Sequence, residues 1–322
     1  METVAYLSTL RPPLSTQMTN VQLGLVSATL AASVITIIIN PLTLLALFKQ
    51  KMITKSSINL LIASLCCSDF LAGVAIGLFQ LQKLLKGTSA SEHLITLLSC
   101  IGAIAFAIGF FVSNTNVLLV SVDRAYATLA PFKYKTHMSI KRASSILAVA
   151  WTSATLQVLI PAAIKIAREG VVIIDYVYEV HPYLFRLYWA IPLLYICTAA
   201  NVALYFTIVI SFYKSIKKVQ PSTSSSELRN RRMTRTVTMV IGALLIGNVP
   251  LTTMAALLDN PDAPYLWSYE MYYDIGFLCI TIPTFLNNFL YVWQLPDFNR
   301  AFRRLLPLTR ITTEASVSNY PA

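Results

Sequence analysis

The sequence predicts an all-α protein: a seven-transmembrane helix bundle with its N-terminus outside and a short amphipathic surface helix after the seventh span. Three observations predict it. First, apolar residues make up 56% of the 322 residues, charged residues 12%, and mean hydropathy is +0.64. A water-soluble domain carries about 25% charge. Too few charges remain here to coat a globule, so lipid is the solvent for most of the chain. Second, the apolar residues gather in seven runs, each long enough at helical rise to cross a hydrocarbon core of about 30 Å. Third, nineteen of the 25 Lys and Arg fall on one side of the alternation those crossings impose, and Arg11, Lys83, Lys86, Lys165, Arg168 and Arg186 fall on the other. The richer side belongs in the cytosol.

Residues 1–20 read as a short extracellular tail. No cleavable signal peptide is expected, because Glu2 precedes any basic group and Pro12-Pro13 interrupts an early apolar core. The bundle is assigned to residues 21–295. Its first span is Val21 to Phe48, interrupted at Asn40-Pro41 and followed at once by Lys49, Lys51 and Lys55. The second, Ser57 to Leu81, carries Asp69 near its centre. The third, Leu94 to Leu129, is free of proline and would reach roughly 50 Å, so it must tilt or protrude. It ends in Asp123 and Arg124, followed by a loop with Pro131, Lys133, Tyr134 and Lys135. The fourth, Ile140 to Ala167, holds Trp151 and Pro161.

A connection from Arg168 to about Phe185 carries Glu169, Asp175 and Glu179. The fifth span is Arg186 to Tyr213, and a basic, serine-rich loop leads to the sixth, Met233 to Leu258, with Pro250. An acidic turn-forming loop leads to the seventh, Tyr269 to Leu295, which holds Pro283, Asn287, Asn288 and Tyr291. Pro296 stops it. Over 296–306, Asp297 is placed to cap a short helix whose Phe298, Phe302, Leu305 and Leu306 share a face beside Arg300, Arg303 and Arg304, the pattern of a helix lying on a membrane surface. Residues 307–322 read as a cytoplasmic tail.

The net charge of +11 is spread over short connections, with no basic arm or domain, which argues against nucleic acid as a partner. His93, His137 and His181 lie far apart in loops, and there is no metal-binding Cys/His spacing, phosphate-binding glycine loop or Gly-x-Ser-x-Gly, so no catalytic residue is assigned. The five cysteines, Cys66, Cys67, Cys100, Cys197 and Cys279, fall in or beside apolar runs and are expected as packing residues. Asp69 is the residue that most needs an explanation. A carboxylate at mid-membrane costs a few kcal/mol unless paired, hydrated or protonated. Ser113, Asn114, Asn116, Asn287, Asn288 and Asn40 could build a polar core around it, and a sodium ion or a water cluster would suit such oxygen ligands. The bland alternative is a hydrogen-bonded packing acid. Asp123 and Arg124 sit where the third span meets the cytosol, either as a flexible ion pair or as a stop signal. Phe106, Phe110, Phe111, Tyr188, Trp189 and Phe277 would line the outer half of the bundle, where some meet a ligand and others meet lipid or a neighbouring helix.

Together these residues resemble the rhodopsin-like (class A) G-protein-coupled receptors, over roughly residues 20 to 306. The likeness rests on Asn40, on LIASLCCSDFLAG with Asp69, on DRAYATLAPFKY with Pro131 and Tyr134, on Trp151, Tyr205 and Pro250, and on NNFLY followed by DFNRAFRRLL. The resemblance implies a multi-pass plasma-membrane receptor with an extracellular ligand of unknown identity and a heterotrimeric G protein as partner. It implies that Arg124 engages the G protein once the sixth span swings outward, and that Tyr205 and Tyr291, with Asn287, serve the open state. It implies a sodium site of Asp69, Ser113 and Asn287, and no other cofactor. Phe106, Phe110, Tyr188, Met254 and Phe277 are the candidate ligand contacts.

The chain departs from the family pattern. Ala125 follows Arg124 where Tyr is usual, and Asn248 stands in GNVP where a tryptophan is expected. Asn288 replaces a proline, as does Cys197, and Asn230 stands where many relatives carry an acid. Cys100 lies one position past the usual disulfide slot and has no cysteine in the 168–185 connection to pair with. Phe106 sits where amine receptors carry an Asp, and Thr281 where opsins carry the retinal Lys, which disfavours both ligand types. A small apolar molecule, a nucleoside-like ligand or a short peptide remains. The competing readings are a seven-helix ion transporter or channel, and a degenerate receptor that partners another.

Overall fold

The computed structural model describes residues 18–86, 88, 91–170, 180–217, 225–258 and 269–305. Seven helices among them are long and apolar enough to cross a membrane. The first runs over Asn20–Lys49 and opens on a capping box. Thr19 Oγ1 accepts from the Gln22 N–H at 3.2 Å, while Gln22 Oε1 accepts from the Thr19 N–H at 2.9 Å. It passes unbroken through Pro41, where the sequence predicts an interruption. Packed neighbours hold a proline-containing helix together in a bundle. The second span, Ser57–Leu85, runs a turn beyond the expected Leu81, because Gln82 is buried and Lys83 is tied to Asp274.

The third span, Glu92–Leu129, is 38 residues long, roughly 57 Å at helical rise. The predicted loop after it is a separate seven-residue helix, Pro131–His137, opened by a proline whose missing N–H costs nothing in a first turn. The fourth span, Ile140–Glu169, starts on the Ser139 cap and ends at Gly170, whose φ of 77° suits only glycine without strain. The fifth begins as a π-helical turn, Arg186–Ala190, and continues as Ile191–Lys217. The sixth, Ser225–Leu258, starts earlier than the predicted Met233, so the basic run before it is helical. The seventh is Tyr269–Gln294. In the surface helix, Pro296–Leu305, Asp297 does not cap. It lies in the first turn and pairs with Arg300 at 2.6 Å, while Phe298 and Ala301 are buried against the bundle.

The second span packs against the first, third, fourth and seventh. The third also meets the fourth, fifth and sixth, and the seventh closes the ring against the sixth and first. Glycine sets two of these approaches. A Cβ on Gly73 would meet the Thr36 side chain at 2.8 Å, and one on Gly247 would meet the Cys279 carbonyl oxygen at 2.7 Å. The apolar core is in three parts, the smallest made of Phe79, Ala103, Ala162 and Val180. Leu47, Ile62, Val120, Ile241, Tyr291 and Phe298 fill the cytosolic half, and Ile76, Phe106, Tyr273 and Phe277 the outer half. Large apolar side chains such as Val149, Ile246 and Trp293 face outward, as lipid requires. Residues 1–17 of the expected 1–20 tail, Leu306, the expected 307–322 tail, half of the 168–185 connection and all of 259–268 lie outside the described residues.

Candidate functional site

The cytosolic end of the third span carries a closed ionic cluster. Asp123 and Arg124 are neighbours in sequence and both are buried. The Arg124 Nε donates to Asp123 Oδ2 at 2.9 Å, and Nη2 donates to the same oxygen. The other carboxylate oxygen, Oδ1, accepts from Tyr134 Oη at 2.9 Å and from Ser57 Oγ at 3.2 Å. Arg124 Nη2 also donates to Tyr134 Oη at 3.2 Å, with the guanidinium carbon 5.9 Å from that ring's centroid. Burial pushes the Tyr134 phenol above its ordinary value, so it stays protonated and serves as a donor. The pair thus has partners from the second span and the short helix as well as each other. The sequence names Asp123 and Arg124. Ser57 and the bridging role of Tyr134 have no signal in it beyond a tyrosine eleven positions past the acid.

A second polar layer crosses mid-membrane. Asp69 is buried and accepts from Ser113 Oγ and from Asn287 Nδ2, each at 3.4 Å. Asn287 Oδ1 is buried with no partner among the described residues. A carboxylate, a hydroxyl and a free amide oxygen therefore converge with donors that are long and few. Asn288 Nδ2 donates to Asn40 Oδ1 at 2.9 Å, tying the seventh span to the first, and Asn40 Nδ2 returns to the Thr36 carbonyl at 3.0 Å. On the other flank, Asn116 Oδ1 accepts from Ser64 Oγ at 3.0 Å, and the Trp151 indole donates to Ser64 at 2.9 Å. Asn248 Nδ2 donates to Asn114 Oδ1 at 3.3 Å, a direct bond between the third and sixth spans. Tyr205 packs over Gly242 of the sixth span and Tyr291 against Phe298, ring centroids 5.5 Å apart, and no hydrogen bond joins the two hydroxyls.

In the outer half, Phe106 stacks on Phe110 at 5.4 Å and meets Phe277 edge-on at 5.4 Å, with Phe79 and Tyr273 completing the group. Phe106 and Phe277 are 5% and 3% exposed, so they pack on each other more than they line an open space. Tyr188 is 74% exposed on the π-helical turn, well away from burial, and Met254 lies on the sixth helix with its side chain outside the described residues. The sequence does not single out the ion pair of half-buried Lys83 with buried Asp274, which joins the second and seventh spans at their outer ends. The side-chain amides of Gln80 and Gln82 nearby are buried with no hydrogen bond to a described residue, an arrangement that costs on the order of 1–3 kcal/mol per unpaired group. The five cysteines are unpaired thiols. His181, just outside the bundle, stacks on Phe185, and its Nε2 lies 3.1 Å from the Val158 carbonyl oxygen. Burial, with help from Arg186 and Lys165, lowers its pKa to about 4.

The family described as 7 transmembrane receptor (rhodopsin family) matches residues 39–291. Prokineticin receptor 2 of Bos taurus is 27% identical over 197 residues, 57% of this chain and 50% of that protein. Prokineticin receptor 1 of Homo sapiens is 23% identical over 268 residues, 78% of this chain and 67% of that protein. The chain thus spans about half the length of the Bos taurus relative it matches.

Proposed function

We propose, because the chain belongs to the rhodopsin family of seven-transmembrane receptors, that this multi-pass plasma-membrane protein passes an extracellular signal to a heterotrimeric G protein. The observation that carries this reading is the buried cluster at the cytosolic end. Arg124 is charged and held by Asp123 and Tyr134, and Asp123 by Ser57, so this cytosolic end is closed. A ligand that binds better when the sixth span has moved outward would open the cluster and free the guanidinium for the partner. A ligand with equal affinity for both states would transmit nothing.

The two relatives bear the name prokineticin receptor, which makes a prokineticin the first ligand to try. The outer half offers such a ligand the Lys83–Asp274 pair, which joins the second and seventh spans, and the aromatic group of Phe106, Phe110 and Phe277. Asp274 is already neutralised by Lys83, so a cationic ligand group would have to displace that lysine. Surface-expressed receptor, read with biosensors for several G-protein classes, should respond to a ligand in that screen. Arg124→Ala at equal surface level should be silent. An undiminished response from Arg124→Ala would count against the assigned role.

The polar layer fits a monovalent cation. One carboxylate, the Ser113 hydroxyl and the orphaned Asn287 oxygen supply hard oxygen ligands with a single negative charge. Asp69, Ser113 and Asn287 would hold sodium between the second, third and seventh spans and so favour the closed arrangement. Replacing sodium with choline should lower the thermal midpoint of the purified receptor, and Asp69→Asn should remove that dependence. A sodium effect of the same size in Asp69→Asn would contradict the assignment.

A further inference from the structure

Midway along the third, fourth and fifth spans lies a cavity of about 150 Å³ lined by Phe111, Asn114, Ser153, Gln157, Leu194 and Cys197, among others. A void of about this size accepts a benzene-sized ring. No Lys, Arg, Asp or Glu lines it. Its surroundings are lipid-facing: Leu156 and Ile160 on the fourth span and Ile196 on the fifth are all exposed outside the bundle.

The hydrogen-bonding capacity of the lining is specific. Ser153 Oγ donates to the Ala150 carbonyl at 3.1 Å, which takes its one donor, and Asn114 Nδ2 gives one of its two N–H groups to the Phe110 carbonyl at 2.9 Å. Gln157 differs. Its Oε1 accepts from the Trp189 indole at 2.9 Å, while its Nε2 has no partner among the described residues. The bond to Trp189 orients the amide. An amide donor left without an acceptor at a half-buried, lipid-facing position is costly until it meets one. The occupant this cavity suits is therefore neutral, largely apolar, one ring wide at its inserted end, and equipped with a carbonyl or ether oxygen. Such a molecule partitions into the bilayer and enters from the side.

Asn114 gives the cavity a consequence. Asn114 is one of the lining residues, and its Oδ1 accepts from Asn248 Nδ2 of the sixth span at 3.3 Å. We infer that this is a regulatory site for a membrane-dissolved neutral ring compound with a hydrogen-bond acceptor, held by Gln157 and acting on the sixth span through the Asn114–Asn248 bond. The binding claim stands on the cavity alone, and the effect on the sixth span rests on the receptor reading above.

Benzophenone is a suitable probe, since it is a neutral two-ring ketone that photolabels neighbouring C–H bonds. In full-length receptor reconstituted in nanodiscs, light should place adducts on Phe111, Leu194 and Cys197 ahead of other lipid-facing residues. Benzophenone in the dark should slow alkylation of Cys197 by N-ethylmaleimide several-fold, read peptide by peptide against Cys67 and Cys279. Gln157→Leu should weaken both effects. Cys197→Phe, which fills the space without touching the amide, should abolish the focused labelling. Labelling spread evenly over all lipid-facing helices, or unchanged by both variants, means membrane partitioning only and overturns the site. Focused labelling with no change in nucleotide exchange, in a receptor that otherwise couples, overturns the link through Asn114 while leaving the binding intact.

Discussion

Arg124 and Asp123 are charges withdrawn from water, and each survives only because the other is there. Removing one partner of a buried pair leaves an uncompensated charge, a loss of about 3–5 kcal/mol. Each added donor on Asp123 Oδ1 deepens the hold by about 1 kcal/mol or more. The cluster is thus stable but divisible, as a switch requires. His181 is the corresponding residue at the outer end. Its neutral ring is the form the fold accepts, because burial and two nearby cations lower its pKa from 6.5 to about 4. The unfolded chain binds that proton more readily. The contribution is therefore complete above about pH 6.5, falls as pH drops, and levels off near pH 4. Amide protection factors at the outer ends of the fourth and fifth spans, corrected for the intrinsic pH dependence of exchange, should fall as pH drops through that window. His181→Gln, which keeps an amide donor and does not titrate, should flatten the dependence. An equal pH slope in the two proteins would contradict this account.

At the scale of helices, the sixth and seventh spans touch where Gly247 lies against Cys279 and Pro283. A Cβ there would sit 2.7 Å from both a backbone oxygen and a ring carbon, neither of which can step aside cheaply. Gly247→Val should force the spans apart and destabilise this closed packing by about 1–3 kcal/mol, seen as a lower thermal midpoint of the purified receptor. An unchanged midpoint would mean the spans do not meet there. The long helices and their order were legible in the sequence, because apolar runs between basic connections admit few alternatives. Their ends were less so. The second span runs past Leu81 because Lys83 finds Asp274 nearly two hundred positions later, a pairing that local pattern does not reveal. The helix at Pro131–His137 was missed because its proline and polar residues carry turn chemistry as readily as helix chemistry.

For the whole molecule, two polar layers divide an otherwise apolar bundle, one at mid-membrane and one at the cytosolic rim, and the third span runs through both. The sequence exposed the charged members of each layer, since a buried charge stands out against lipid. At mid-membrane it also exposed the neutral partners, since Ser113 and Asn287 do meet Asp69, but at the cytosolic rim it did not. Ser57 and Tyr134 look ordinary until folding carries them to Asp123. Nor could it show that Asn288, standing where relatives have proline, is used to tie the seventh span to Asn40. The most direct test is nucleotide exchange on purified G proteins of several classes by receptor in nanodiscs, comparing wild type, Tyr134→Phe and Tyr134→Phe/Arg124→Ala at matched amounts. Tyr134→Phe removes one hydroxyl from the cluster and should raise basal exchange several-fold, and the added Arg124→Ala should return it to the receptor-free rate. Equal exchange from all three proteins would contradict the claim that this cluster is what the bundle opens.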